Sequence, residues 1–322
     1  MRLRGSRVLL TGGAGFIGSH VADALGSAGV EALVVLDDLS LGREENLAAA
    51  RQAFPALEFH RLDLTNEGAC KAAGGGRTFD FCFHLAVIPL PASLVEPKRV
   101  VDRNVMMTTT VCELARAGTI RRLVHFSSSE VYGTARSVPM TEEHPHEAET
   151  PYAASKVAAD STVLSYCRTF GIDAVILRPF NNFGPRQNEG SYAGVIPIVI
   201  TRALANRPVT IFGDGHQTRD FIYVQDTARA TLLLAERDGI RGRVFNIGSG
   251  KETSINALVQ LLLELTGRAD LPVEHGPERP GDVRRHVAGI HRATQELGFA
   301  PQVGLREGLE STVAWYLSKA SG

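Results

Sequence analysis

No run of apolar residues approaches the roughly 18 that a membrane-spanning helix needs. The basic N-terminal segment MRLRGSRVLL breaks at Thr11-Gly12-Gly13, too soon for a secretory signal. Excess charge is lacking too. With 34 Lys and Arg against 35 Asp and Glu, the chain carries no electrostatic footprint for nucleic acid or for an acidic membrane surface. Cysteine is sparse: Cys70, Cys82, Cys112 and Cys167 stand far apart, form no C-x-x-C pair and fall in segments that read as helix or strand. Reduced thiols in the core of a cytoplasmic protein are the expectation. No metal is expected either, because His144-Pro145-His146 lies in a polar loop without a second ligand pair at metal spacing, and His84 reads as the end of a buried strand. What remains as partner is a small molecule or a second copy of the chain.

What is present is a core-forming composition, 44% hydrophobic over 322 residues, and a rhythm. Short β-branched runs (RVLLTG, ALVVLD, LEFHRLD, FDFCFHLA, RLVHFSS, DAVILRP) alternate with longer helical patterns. That alternation predicts an α/β fold, a doubly wound parallel sheet of Rossmann type with helices on both faces. After Pro179 the rhythm gives way to Gly and Pro clusters. The expected division is a dinucleotide-binding domain over 1–179 and a smaller lobe over 180–322, with part of 220–255 returning to the first domain.

The first strand runs into TGGAGFIGSH, where Gly13, Gly15 and Gly18 fit G-x-G-x-x-G and Gly12, Gly15 and Gly18 fit G-x-x-G-x-x-G. Glycine permits the tight turn and the close approach of backbone to a pyrophosphate, and the helix opened by Phe16 and Ile17 presents its N-terminus to the phosphates. Asp37 follows 19 residues after Gly18 at the end of ALVVLD. An acid there accepts from an adenosine ribose and repels a 2′-phosphate, so NAD is expected over NADP. Arg43 is the one nearby residue that argues otherwise.

Tyr152 and Lys156 form Y-x-x-x-K on one face of a predicted helix, and Ser128 stands 24 residues before Tyr152 at a strand end. A lysine ammonium and a cationic nicotinamide beside the phenol favour the phenolate, so a lowered tyrosine pKa and a role as general base are expected.

Through TGGAGFIGSH, Asp63-Leu64, HLA, Asn104, SSSEVYG, PYAASK, RPFNNFGPRQ, FGDGHQTRDFIYVQD, FNIGSG and RPGDVRR, the chain resembles the extended short-chain dehydrogenase/reductases that act on nucleotide sugars. The resemblance implies a resident NAD, oxidation of a sugar hydroxyl at carbon 4 and later return of the hydride. On the cofactor side it implicates Asp37, Asp38, Ser40, Asp63, Leu64, Leu85, Ala86, Ser127 and Pro179, with Asn104 bracing a loop. On the substrate side Arg219 and Arg279 would clamp a diphosphate, Asn181 would donate a further hydrogen bond and Phe212 would stack on the nucleobase. Val195 follows Gly194 where many relatives have Asn-Leu. His286 replaces a bulky tyrosine, which hints at room for an N-acetyl group, and Gly289 replaces a structural acid. The family also implies a homodimer built on helices 96–117 and 151–169, whose Val100, Val101, Met106, Met107, Val157, Val163 and Leu164 exceed what one sheet face needs.

Members are told apart at SSSEVYG. Sugar-nucleotide 4,6-dehydratases carry Thr-Asp-Glu, an acid to protonate the departing 6-hydroxyl and a glutamate to remove the carbon 5 proton. Here the matching residues are Ser128, Ser129 and Glu130, so the base is retained and the acid is gone. Glu130 is read as a carbon-acid base, with a turn cap as the bland reading of the same residue. Ser-Glu is shared by UDP-glucuronate decarboxylases and by some UDP-N-acetylglucosamine dehydratases, and the run SSSEVYGTARSVPMTEEHP resembles the latter. The branch it resembles in particular removes water across carbons 5 and 6 of UDP-N-acetylglucosamine in tunicamycin biosynthesis. A UDP-sugar 4-epimerase, a 4,6-dehydratase, a decarboxylase and, outside catalysis, an NAD-binding sensor stay open.

Overall fold

Six runs rich in Val, Leu, Ile and Phe form parallel strands in the computed structural model, which describes residues 1–190, 193–278 and 281–320. They are β1 (Arg7–Thr11), β2 (Ala32–Asp37), β3 (Glu58–Arg61), β4 (Phe79–His84), β5 (Ile120–Phe126) and β6 (Asp173–Pro179). A further strand, Val244–Ile247, pairs in parallel with β6 and completes a seven-stranded sheet ordered Val244–Ile247, β6, β5, β4, β1, β2, β3. The inner strands are buried on both faces, as a parallel sheet covered by helices requires. β3 lies at the edge and carries charge at both ends, which suits an edge strand.

Side chains alternate between two cores. Val8, Leu10, Val35, Phe81, Phe83 and Val124 pack with Val21, Ala22 and Leu25 of the helix Phe16–Ala28 and with Leu234 of the helix Val224–Glu236. On the other face Leu9, Val34, Cys82, Leu123 and Ile176 meet Val111 and Cys112 of the helix Pro97–Arg116 and Val163 and Cys167 of the helix Pro151–Phe170. All four cysteines are buried and free. Val100, Met107 and Val163 are buried inside the chain, so they do not belong to a surplus apolar face; Met106 is exposed, and Val101, Val157 and Leu164 are half-buried.

After β6 the chain builds three small two-stranded sheets around a separate core of Phe183, Ile200, Ile211, Leu258, Leu262 and Leu309. Asp220, fully buried, fastens this lobe to the sheet's end by accepting from Ser249 N at 2.7 Å, Gly250 N at 2.9 Å and Ala288 N at 3.0 Å. The His144 to His146 segment is not a free polar loop: His144 is buried and its Nε2 accepts from Arg136 N at 3.0 Å. Among the described residues no helix is long and apolar enough to cross a membrane.

In this strand order the connections run outward in opposite directions from β1 and β4, which are neighbours. A crevice opens outside the carboxyl ends of strands at such a switch point. The loops there carry the glycine motif, Leu85-Ala86 and, one strand further, the three serines.

Candidate active site

Gly12 adopts the left-handed region at φ 70°, and a Cβ on it would stand 2.6 Å from Ala86 N. The loop therefore packs directly on Leu85-Ala86. A Cβ on Gly18 would stand 2.1 Å from the Gly12 carbonyl oxygen, so the helix can start this close to the loop only without a side chain. Gly13 serves the sheet instead: a Cβ there would meet Val35 Cγ1 at 2.6 Å. Gly15 is the N-cap of the helix Phe16–Ala28 and offers no side-chain acceptor, which leaves the first-turn N–H groups to an anion. Asp37, buried at the end of β2, accepts from Ala14 N at 3.0 Å and Leu39 N at 2.9 Å, and burial holds its carboxyl above the usual range. A tight glycine cradle, an uncapped helix start and an acid at the next strand end fit a dinucleotide.

A cavity of about 750 Å³ opens from this cradle. Of the residues assigned to the cofactor from sequence, it is lined by Gly12, Gly15, Phe16, Ile17, Gly18, Asp37, Asp38, Ser40, Leu64, Leu85, Ala86, Ser127, Tyr152, Lys156 and Pro179, and Ser128 joins them. Two do not line it. Asp63 pairs with Arg103 and accepts from Thr65 N at 3.0 Å. Asn104 accepts from Ile88 N at 2.8 Å and donates to Ser155 Oγ at 3.0 Å, tying the loop after β4 to the helix Pro151–Phe170. The sequence reading missed Arg99, Arg103, Arg186, Trp315 and Lys319, which also line the cavity; Arg186 lies in RPFNNFGPRQ, and the others stand at helical spacing on the helices Pro97–Arg116 and Leu305–Ala320.

Ser128 caps the short turn Ser129–Tyr132, its Oγ accepting from Glu130 N at 3.2 Å. Ser128, not Glu130, is thus the cap. The Ser128 hydroxyl also favours the ionised form of the Tyr152 phenol. The expectation of a lowered tyrosine pKa needs correction: burial pushes Tyr152 up to about 12, the Ser128 hydroxyl opposing and the charges of Glu130 and Asp160 adding to the rise. The Lys156 ammonium donates to the Phe126 carbonyl. Burial pulls Lys156 itself down to about 8, against the charge of Asp160. The protein alone thus keeps the phenol protonated.

Glu130 is half-buried, and its carboxyl is raised by burial, with Arg219 opposing and Asp282 adding. It does not line the cofactor cavity and feels the charges of the second lobe. Ser129 is buried. Arg219 is ion-paired with Asp282 and donates to Thr218 O at 2.9 Å. Asn181 donates to Asp220 O at 3.4 Å, Val195 opens the helix Val195–Leu204, and Phe212 ends the strand Val209–Phe212. Arg279 lies outside the described residues.

His286 is corrected. It is fully buried against Phe180, its Nε2 lies 2.9 Å from the Gly133 carbonyl, and it does not line the cavity. It braces the turn that carries Glu130. The acid missing at Gly289 is also accounted for, since a Cβ there would stand 2.9 Å from Met140 O.

A model of the NAD dependent epimerase/dehydratase family matches residues 8–248. The chain belongs to this family. A UDP-glucose 4-epimerase of Mycolicibacterium smegmatis is 38% identical over 98% of this chain and 99% of its own length. Among solved structures, the UDP-glucose 4-epimerase of Thermotoga maritima with UDP-glucose superposes at a TM-score of 0.91, 34% identical over 98% of this chain and 99% of that one. A dTDP-glucose 4,6-dehydratase of Streptomyces venezuelae with NAD bound also reaches 0.91, 33% identical over 98% of both chains. The protein is an extended short-chain dehydrogenase/reductase of Rossmann type, an NAD-dependent enzyme of the nucleotide-sugar epimerase and dehydratase family.

Replacement of Asp37 by Asn turns one of two acceptors into a donor facing a backbone N–H. Retention of NAD through purification and selectivity against NADP should both fall, by about tenfold or more. Titration of the variant with each dinucleotide checks this, and unchanged affinity and selectivity would contradict the assignment of Asp37 to the ribose.

Proposed function

We propose that the protein is an NAD-dependent dehydratase of a UDP-hexosamine, UDP-N-acetylglucosamine, that removes water across carbons 5 and 6. One observation supports this above others: Glu130 stands two residues after Ser128 in a capped turn, and its charge is felt at the Tyr152 phenol. NAD, held by the glycine loop and Asp37, would supply reversible hydride chemistry at carbon 4. Tyr152, held as the phenolate by the positive charge that bound NAD would bring and with Ser128 beside it, would receive the proton of the 4-hydroxyl. The resulting ketone acidifies the carbon 5 hydrogen, which Glu130 removes; the 6-hydroxyl leaves with that proton as water. Tyr152 returns its proton to the carbon 4 oxygen as the ketone is reduced, so the cofactor ends each turnover as it began. Arg219, freed from Asp282, would meet the diphosphate.

One observation favours 4-epimerisation as a second reading. Ser129, buried and neutral, stands where an acid would protonate the leaving hydroxyl.

Glu130→Gln decides between them. The amide keeps the shape, so NAD should be retained and the reduced nicotinamide absorbance should still appear on addition of UDP-N-acetylglucosamine. Water loss, and deuterium uptake at carbon 5 of the recovered substrate, should fall by about a hundredfold or more. Wild-type turnover and exchange in this variant would leave Glu130 without a role in proton transfer.

The exposed Leu94, Val95 and Met106 beside the helices Pro97–Arg116 and Pro151–Phe170 support a homodimer through that pair of helices. Light scattering at micromolar concentration should give about twice the chain mass of 34.7 kDa; a particle of chain mass would contradict it.

A further inference from the structure

We propose that Asp160, Arg178 and Tyr132 form a buried positioning relay that holds the turn bearing Glu130 in register with the helix bearing Tyr152 and Lys156. The inference rests on the reading of Glu130 as the carbon 5 base. Arg178, on β6, is 2% exposed, a burial that a guanidinium tolerates only when its donors are engaged. Its Nε and one terminal nitrogen donate to Asp160 Oδ2 at 3.0 and 2.8 Å, and its other terminal nitrogen donates to Tyr132 Oη at 2.9 Å. Asp160 stands one helical turn after Lys156. The same Oδ2 accepts from Ser127 Oγ at 2.9 Å, at the strand end whose Phe126 carbonyl receives Lys156.

Tyr132 closes the turn Ser129–Tyr132, two residues after Glu130. Its hydroxyl accepts from Arg178 and donates to Asn246 Oδ1 at 2.7 Å, and Asn246 Nδ2 in turn donates to Met140 O at 3.0 Å. Asn246 is the register partner of Arg178 across the sheet. Every link is thus fixed at both ends, from the lysine helix through the sheet to the turn. A charged arginine is a poor choice for stabilising a core, since a hydrophobic side chain of like size serves as well. What the fork adds is a fixed angle between the helix that carries Asp160 and the turn that Tyr132 closes.

Tyr132→Phe deletes the hydroxyl and leaves the ring and the His286 bond to Gly133 in place. The variant should keep NAD and should form reduced nicotinamide from the sugar nucleotide within about threefold of the wild-type rate. Water loss, and deuterium uptake at carbon 5 of the recovered substrate, should fall by about tenfold or more, because the base is displaced from its proton. Amide hydrogen exchange should quicken at 129–133 and not in the helix Pro151–Phe170. Equal loss of both steps, or loss of neither, would overturn the relay. Should the phenylalanine variant fail to retain NAD, Arg178→Lys decides: it keeps a charge for Asp160 but lacks the fork, and the same split between steps would support the relay while uniform loss would overturn it. Glu130→Gln run beside them separates the two claims. Unchanged carbon 5 exchange in that variant removes the base itself, and the relay with it; a hundredfold loss there combined with no split in Tyr132→Phe removes the relay alone.

Discussion

A parallel sheet covered by helices on both faces leaves its polar chemistry one place to go, and the rest of this structure follows from that constraint. Side chains of the inner strands are buried in two cores, so groups that must meet a ligand gather where the strands end. The reversal of strand order beside β1 then opens the crevice in which the glycine loop, Leu85-Ala86, Ser128 and Pro179 converge from four strand ends. The second lobe is fastened to those same ends by Asp220, and it brings the charges of Arg219 and Asp282 to bear on Glu130.

Burial at those strand ends sets the charge states. It raises the Tyr152 phenol and the Glu130 carboxyl and depresses the Lys156 ammonium, each toward its neutral form. Such a site gains from a cation more than an exposed one would, because a low-dielectric surround screens little. A bound nicotinamide is the cation that chemistry of this class supplies. The buried Asp160 is the exception, held below the usual carboxylate range against its burial by His125 and Arg178.

Much of the site was legible because it is local. The glycine turn, the acid at the next strand end and the tyrosine and lysine at helical spacing are each determined within a few residues, and the cavity brings all of them together. What stayed hidden depends on distant partners. Arg178 opens the RPFNNFGPRQ run and Asp160 sits in VAAD, and only the fold shows that one reaches the other and then Tyr132. His286 looked like a pocket wall because its role, bracing Gly133, spans 153 positions. The seven apolar residues on two helices could not be divided between core and surface from periodicity, since both helices bury a wide face against the sheet and against each other.

Epimerases and dehydratases of this family share the carbon 4 ketone and part only at what happens next at carbon 5. In this chain Ser128 caps the turn that carries Glu130, Tyr152 lies in the first turn of the helix Pro151–Phe170, and the residue between Ser128 and Glu130 is a buried serine. The decisive measurement is the product formed by the wild-type protein from UDP-N-acetylglucosamine in deuterated water, read by mass spectrometry and NMR. Dehydration gives a sugar nucleotide lighter by one water, with a double bond between carbons 5 and 6 and no hydrogen at carbon 5. A product of unchanged mass, inverted at carbon 4 and still carrying its carbon 5 proton, would contradict it.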